Sequence, residues 1–226
     1  MSIWTRIAEA LRALTNGEPL SVVFDHLRGP RERSVAFTIA VIALGAKMAK
    51  ADGQVTRNEV TAFREVFQIP AEDEAGAARV FNMARQDVTG FEDYAARIAR
   101  MFGADNQVLC DLMEGLFHIA VADGTYHEAE DAFLARVAEI FGIPPHRFAH
   151  LRARFVPDAG QDPYTVLGVS PDAPMSEIRA AWSQAVRESH PDQMIARGVP
   201  AEAVKMAERR MVDINRAWDE IQRIGA

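Results

Sequence analysis

Apolar residues recur at helical spacing along almost the whole chain. Between residues 31 and 155 the pattern forms successive amphipathic segments, separated by short breaks that contain glycine or proline. The predicted helices cover about 34–51, 57–68, 74–87, 91–102, 106–122, 128–142 and 144–155. No run alternates apolar and polar residues for long enough to predict a strand. Because short connections favour antiparallel neighbours, the pattern predicts an all-α fold built on a helical bundle.

Two apolar segments raise the question of a membrane. The longest apolar run, from Val35 to Ala46, has 12 residues, whereas a helix needs about 20 to cross a bilayer. It is therefore predicted to be a buried central helix. The N-terminal segment, residues 1–30, begins with an apolar stripe through Trp4 and Ile7 that charged residues interrupt, which is not the pattern of a signal peptide. That stripe either contacts a membrane surface peripherally or docks onto the protein's own core.

An internal repeat lies inside the predicted bundle. Residues 46–53 and 117–124 each carry an apolar stretch that ends in Ala-Asp-Gly, and a glutamate follows at the same distance in both copies. The four repeated carboxylates are Asp52, Glu59, Asp123 and Glu130. Two interpretations stay open. Carboxylates that converge at a pseudo-symmetric seam can bind a divalent cation, while Asp before Gly is also typical of a helix cap.

The C-terminal part has a different organisation. Ile178, Trp182 and Val186 recur every four residues and predict one amphipathic helix. Pro191 is predicted to end that helix, because proline disfavours helical geometry in the residue before it. The tripeptide His190-Pro191-Asp192 would then lie at the mouth of a loop. A second long helix is predicted downstream, with an apolar face that includes Met211, Ile214, Trp218 and Ile221.

Four segments of this part carry the resemblance to a known domain, because they occur in its order and spacing. They are Asp162-Pro-Tyr-Thr-Val-Leu-Gly-Val169, Ile178-Arg-Ala-Ala-Trp182, His190-Pro-Asp192 and Ile214-Asn-Arg-Ala-Trp-Asp-Glu-Ile221. Together they resemble the J-domain of DnaJ-type co-chaperones over roughly residues 161–226. The resemblance implies an antiparallel pair of long helices, with the tripeptide in the loop between them in contact with a DnaK-type ATPase chaperone.

The resemblance also implies which residues meet that partner. The contact is expected from His190, Pro191 and Asp192, with basic residues of the preceding helix around them. Only Arg179 and Arg187 are basic there, where J-domains usually carry more, so docking is expected to be weaker or to draw on the last helix. The candidates on the last helix are Lys205, Arg209 and Arg210.

The repeat carries a second resemblance. Its Ala-Asp-Gly and glutamate pattern is similar to the TerB-like domain, an all-helical module, over roughly residues 30–155. A TerB-like domain followed by a J-domain resembles the DjlA subgroup of J-domain proteins. Members of that subgroup begin with a membrane-spanning segment, which this sequence does not show, so membrane anchoring is not expected. The expected layout is an N-terminal segment, a TerB-like bundle, a linker and a J-domain hairpin, at residues 1–30, 31–156, 157–162 and 163–226.

Composition narrows the function. The net charge of −7 disfavours nucleic acid as a partner, since phosphate binding needs a basic surface. A single cysteine, Cys110, allows neither an internal disulfide nor a cysteine-based zinc site and favours a cytoplasmic location. We therefore expect a co-chaperone that is not an enzyme, needs no cofactor and recruits an unknown client through the TerB-like bundle. The alternative is a metal-sensing or stress-response binding protein in which the J-domain is ancillary.

Overall fold

A computed structural model provides the structure of the chain. It describes residues 3–12, 18–27, 29, 32–51, 63, 66–87, 90–103, 106–156 and 162–224. The described residues form helices and connecting turns and include no strand. The prediction of an all-α fold is therefore confirmed.

The first part of the chain is a bundle around one helix. Its helices are α1 (Ile3–Arg12), α2 (Val23–His26), α3 (Arg33–Ala51), α4 (Glu74–Gln86), α5 (Phe91–Phe102), α6 (Asn106–Ala120), α7 (Glu128–Ile140) and α8 (Pro145–Phe155). Helix α3 contacts α1, α4, α5, α6 and α7. Its apolar residues point in all directions, and those from Val35 to Ala46 are all buried, as expected of a helix at the centre of a bundle.

Helix α1 uses its apolar stripe inside the protein. Ile3, Trp4 and Ile7 are buried in the same core as α3, against which α1 packs. Of the two interpretations of the N-terminal stripe, the structure supports docking onto the core, which leaves this face unavailable to a membrane surface. Among the described helices, none is both long enough and apolar enough to cross a membrane.

The C-terminal part contains the predicted pair of long helices. Its elements are α9 (Pro163–Leu167), α10 (Met175–Glu188), α11 (Pro191–Arg197) and α12 (Val204–Ile224). Met175 and Gln222 line one cleft, while Ala185 and Ile214 line another, so α10 and α12 run antiparallel. Trp182 stacks on Trp218 across the pair, with ring centroids 5.0 Å apart.

Helix α12 belongs to two cores. Its second half contributes Ile214, Ala217 and Ile221 to the small core between α9, α10 and α12. Its first half buries Met206 and Ala207 in the large core of the bundle. The turn before it is also attached to the bundle, because the amide of Gln68 donates to the carbonyl of Glu202 at 2.8 Å. Residues 157–161 of the predicted linker, which spans 157–162, lie outside the described residues. Its last residue, Asp162, is the N-cap of α9.

Candidate functional site

Helix α10 leads to the tripeptide and ends just before it. It begins after Pro174, as its sequence predicts, and packs Ile178, Trp182 and Val186 on α12 and α9. At its other end the hydroxyl of Ser189 donates to the carbonyl of Ala185 at 2.6 Å, and Ser189 is buried. The backbone amide of Ser189 donates to the same carbonyl at 3.0 Å, so two hydrogen bonds close the end of the helix. The chain therefore leaves α10 at a fixed point, with His190 as the next residue.

The tripeptide begins a helix instead of lying in an open loop. His190 is the N-cap of α11 and Pro191 is its first residue. The expectation that Pro191 only stops a helix was thus incomplete. Proline is favoured at the first helical position, because the amide hydrogen it lacks would have no partner there. The ring nitrogen Nδ1 of His190 accepts from the amide of Asp192 at 3.2 Å, as an N-cap side chain does.

This cap arrangement leaves the polar groups of the tripeptide available to a partner. The side chains of His190 and Asp192 are 56% and 84% exposed, with His190 Nδ1 3.7 Å from an oxygen of Asp192. Because Nδ1 accepts a hydrogen bond, the neutral ring carries its proton on Nε2, which can donate outward. A carboxylate near a helix N-terminus is electrostatically favourable. The tripeptide therefore presents one donor and one negative charge in a fixed geometry.

The predicted basic residues do not all lie on one surface. Arg179 and Arg187 are exposed on α10, and Arg187 lines a groove together with His190 and Gln193. Lys205 and Arg209 are exposed on the first turns of α12. Arg209, however, reaches to within 3.4 Å of His118 in α6. It lies at the edge of the bundle. Arg179 lines a different cleft, together with Trp182 and Gln222. Of the predicted basic residues, Arg187 is therefore the one that lines the groove with His190.

Arg210 requires a correction. The sequence placed it among the residues that face a partner, but it is 6% exposed. Its Nε donates to Glu114 at 2.6 Å and its Nη2 to Asp111 at 2.7 Å, and both carboxylates lie on α6. It holds α12 on the bundle, so it is unavailable to a partner chaperone.

Arg210 is part of a larger ion cluster between the two parts of the chain. Arg197 Nη2 lies 3.0 Å from Asp111, and Arg154 Nη1 lies 3.2 Å from Glu114. Asp213 of α12 adds a second carboxylate 3.7 Å from Arg154. Neither Asp111 nor Glu114 has an exposed side chain. Buried charges persist only when they are paired and hydrogen-bonded, and this cluster meets that condition.

Burial and the nearby arginines together set the pKa values of the acidic groups in the cluster. Burial raises the pKa of Asp111, an effect that Arg210 and Arg197 oppose. Burial also acts to raise the pKa of Glu114, but Arg154 and Arg210 outweigh it and lower that pKa to about 2. Burial lowers the pKa of the neighbouring His118 to about 4. At neutral pH the cluster therefore holds an ionised Glu114 beside an uncharged histidine.

Sequence reasoning missed this cluster, although the sequence contained one signal for it. Asp111 and Glu114 are spaced i, i+3 inside an apolar segment, so they share one face of a helix that is expected to be buried. Two buried carboxylates need cationic partners. That spacing predicts buried cations nearby. The spacing does not show which cations these are, because Arg154, Arg197 and Arg210 lie on other helices and far away in the sequence.

The repeat carboxylates are only partly described. Asp52 and Glu59 lie outside the described residues. Asp123 accepts from the amide of Thr125 at 2.9 Å and closes a turn before α7. Glu130 accepts from the amide of His127, the N-cap residue, at 2.9 Å and so caps the start of α7. No metal-binding group of three His, Cys, Asp or Glu side chains occurs within the described part of the chain. Convergence of the four carboxylates stays a prediction without a supporting observation.

Comparison with protein families matches both parts of the chain. The model of the family described as tellurite resistance protein TerB matches residues 38–153, and the DnaJ domain model matches residues 162–223. The first match contains most of α3 and the whole of α6, with Asp111 and Glu114. The second contains the tripeptide, Arg197 and Arg210. The ion cluster therefore joins the two matched regions. No solved structure matches the chain.

Similar curated proteins align with most of the chain. The co-chaperone protein DjlA of Vibrio parahaemolyticus is 26% identical over 231 residues, which cover 87% of this chain and 81% of that protein. The protein of the same name from Coxiella burnetii is 28% identical over 197 residues, covering 78% of this chain and 73% of that protein. The similarity extends over most of the chain and is not confined to the C-terminal domain.

Proposed function

Since the chain belongs to the TerB family and carries a J-domain after its TerB region, we propose that it is a co-chaperone that docks on a DnaK-type ATPase through His190, Pro191 and Asp192. The family model of TerB spans just over half of the chain, and relatives similar over most of it are named co-chaperones. The single observation that carries the finer proposal is the tripeptide itself. Its two polar side chains are exposed at the start of α11, within the region matched by the DnaJ model.

The chemistry at this site is binding. His190 and Asp192 offer one donor and one negative charge, while the hydroxyl of the adjacent Ser189 is buried and bonded to the carbonyl of Ala185. A J-domain that docks on the ATP-bound partner, and binds its hydrolysis-competent conformation more tightly than the other conformations, shifts the partner toward the state that hydrolyses ATP. The hydrolytic groups belong to the partner. Arg179 and Arg187 add positive charge on the preceding helix, α10. Such charge mainly steers association and makes it depend on salt.

The TerB region would provide the recruiting surface. We propose that it brings an unidentified client to the chaperone, since the bundle and the J-domain are held together by a shared core. We place the encounter in the cytoplasm, in keeping with the single cysteine. The metal-sensing alternative gains no support from Asp123 and Glu130, whose carboxylates cap backbone amides.

The test uses the full chain with a DnaK-type chaperone. Stimulated ATP turnover would be measured for the parent, His190→Gln and Asp192→Asn. Both variants should lose stimulation, because interface free energy concentrates in a few central residues. Asp219→Asn is the matched control, since it makes the same chemical change on an exposed residue of α12. It should stimulate as the parent does.

Thermal melts of the same variants separate docking from folding. Loss of an N-cap bond costs typically about 1 kcal/mol, so His190→Gln should remain folded. Undiminished stimulation by a folded His190→Gln would contradict the docking proposal. Equal loss in Asp219→Asn would show that the effect does not belong to the tripeptide.

A further inference from the structure

Arg197 occupies an unusual position relative to the tripeptide. It is the last residue of α11, whereas the tripeptide begins that helix. Its side chain is 16% exposed and turns back toward the end of α10. Nη2 of Arg197 donates to the backbone carbonyl of Glu188 at 3.0 Å. The guanidinium thus reaches the residue two positions before His190 and closes the corner between the two helices.

The same guanidinium is fixed from the bundle side. Its Nε and Nη2 donate to one oxygen of Asp111, at 3.2 and 3.0 Å. The other oxygen of Asp111 accepts from Arg210. A continuous path of hydrogen bonds therefore runs from α6 in the TerB region, through Asp111 and Arg197, to the backbone at the end of α10. Asp111 is fully buried, so this path starts from a rigid part of the molecule.

The charges along this path reinforce its geometry. The carbonyls at a helix C-terminus carry partial negative charge and lack intrahelical partners, so a cation beside the carbonyl of Glu188 is favoured. Hydrogen bonds that involve an ionised group contribute more to stability than neutral ones. An apolar contact also holds α11 on the bundle, because Met194 is buried in the core of the bundle.

We propose that Asp111 and Arg197 are positioning residues, through which the TerB region sets the placement of the His190-Pro191-Asp192 segment. The effect on docking rests on the proposed function, whereas the placement of the segment is a property of the free protein. Neither residue needs to touch the chaperone. The TerB region then does more than recruit, because it helps to determine how often the tripeptide has the geometry that docking requires.

Amide hydrogen exchange of the free full chain tests the placement directly. The reporters are the amides of His190, Gln193 and Met194, whose hydrogen bonds lie within the segment from Arg187 to Met194. Arg197→Ala should accelerate their exchange at least tenfold, because one charge-assisted hydrogen bond contributes slightly more than the free energy of about 1.4 kcal/mol that a tenfold factor represents. Arg197→Lys keeps a cation but not the forked geometry, so its acceleration should be smaller.

A matched control separates positioning from general loosening of the ion cluster. Asp213→Asn alters a carboxylate of the same cluster that contacts Arg154 and not Arg197. It should leave the reporter amides unchanged. Unchanged exchange in Arg197→Ala, or equal acceleration along all of α12, would overturn the inference. Because Asp111→Asn leaves Arg210 paired with Glu114, it offers a folded variant that should accelerate the same three amides.

Chaperone stimulation gives the second measurement. If the competent placement falls to a tenth of the population, the half-saturating concentration rises about tenfold while maximal stimulation is kept. A loss of maximal stimulation with unchanged half-saturation would contradict positioning. Failure of the parent to stimulate any DnaK-type chaperone would refute the proposed function alone, since the exchange measurement needs no chaperone. Unchanged exchange would refute positioning alone.

Discussion

Replacing Arg210 tests whether the ion cluster holds the two parts of the chain together. Arg210→Ala removes the cation that bonds both Asp111 and Glu114. On an exposed face the same change would alter the free energy of unfolding by within about 0.5 kcal/mol. At its observed position the change leaves two buried carboxylates with fewer partners. The variant therefore distinguishes a surface arginine from a structural one.

The size of the effect can be worked out from the cluster. Breaking a buried ion pair by removing one partner costs about 3–5 kcal/mol, because the charge left behind has no compensating solvent. Arg197 still pairs with Asp111 and Arg154 with Glu114, so the loss should fall near the lower end, about 3 kcal/mol. Domains are commonly stable by only 5–15 kcal/mol, which makes this a large fraction of the total.

Urea unfolding of the full chain, followed by circular dichroism, measures this difference. Arg216→Ala is the control, since Arg216 is an exposed arginine on the same helix. Adding Glu114→Gln to Arg210→Ala should recover part of the loss, because one of the two stranded charges is then removed. The reasoning would be refuted if Arg210→Ala and Arg216→Ala unfolded at the same urea concentration.

Two further changes test local features of the interface. His118 has a pKa of about 4 when folded and near 6.5 when unfolded, so the unfolded state binds a proton first as the pH falls. Stability should decrease by about 3 kcal/mol between pH 6.5 and pH 4. Urea titrations at several pH values should show a smaller decrease in His118→Gln, and equal decreases would contradict this. Gly168→Ala should destabilise by about 1–3 kcal/mol in the same assay, because φ is +75° and the new Cβ would lie 2.3 Å from His150. Gly142→Ala, where φ is +69° with no neighbour within 4 Å, should cost less, and an equal cost would show that the contact with His150 is unimportant.

Much of the C-terminal architecture could be predicted from the sequence because it depends on local periodicity. The spacing of Ile178, Trp182 and Val186 selects one face of α10, and the matching face of α12 includes Trp218. Burial of these faces against each other fixes the antiparallel pair, and Trp182 stacks on Trp218 across it. The cap at His190 was harder to predict. Proline favours both the end of one helix and the first turn of the next, and local sequence does not separate the two.

The environment of the basic residues on α12 could not be predicted in the same way. Arg209 and Arg210 are neighbours in sequence, yet successive helical residues point about 100° apart. One is therefore exposed while the other is buried between α12 and α6. Which side is buried depends on where the bundle lies, and that is set by contacts nearly 100 residues away in the chain. Periodicity identifies a helix face, but only the partner surface shows whether a charge on that face meets solvent or a carboxylate.

The same distinction applies to the domain boundary. Proline, glycine and polar residues at 157–162 predict a linker, and a linker predicts two modules that bury separate cores. Met194, Met206 and Ala207, which follow the linker, are nevertheless buried in the core of the bundle before it. Separating the modules would expose these side chains and leave Asp111 with neither of its arginines. A linker pattern in the sequence therefore predicts where one module ends and the next begins. Whether the two modules are independent depends on the apolar area and the ion pairs that are buried between them. In this protein they couple the TerB region to the segment that carries the tripeptide.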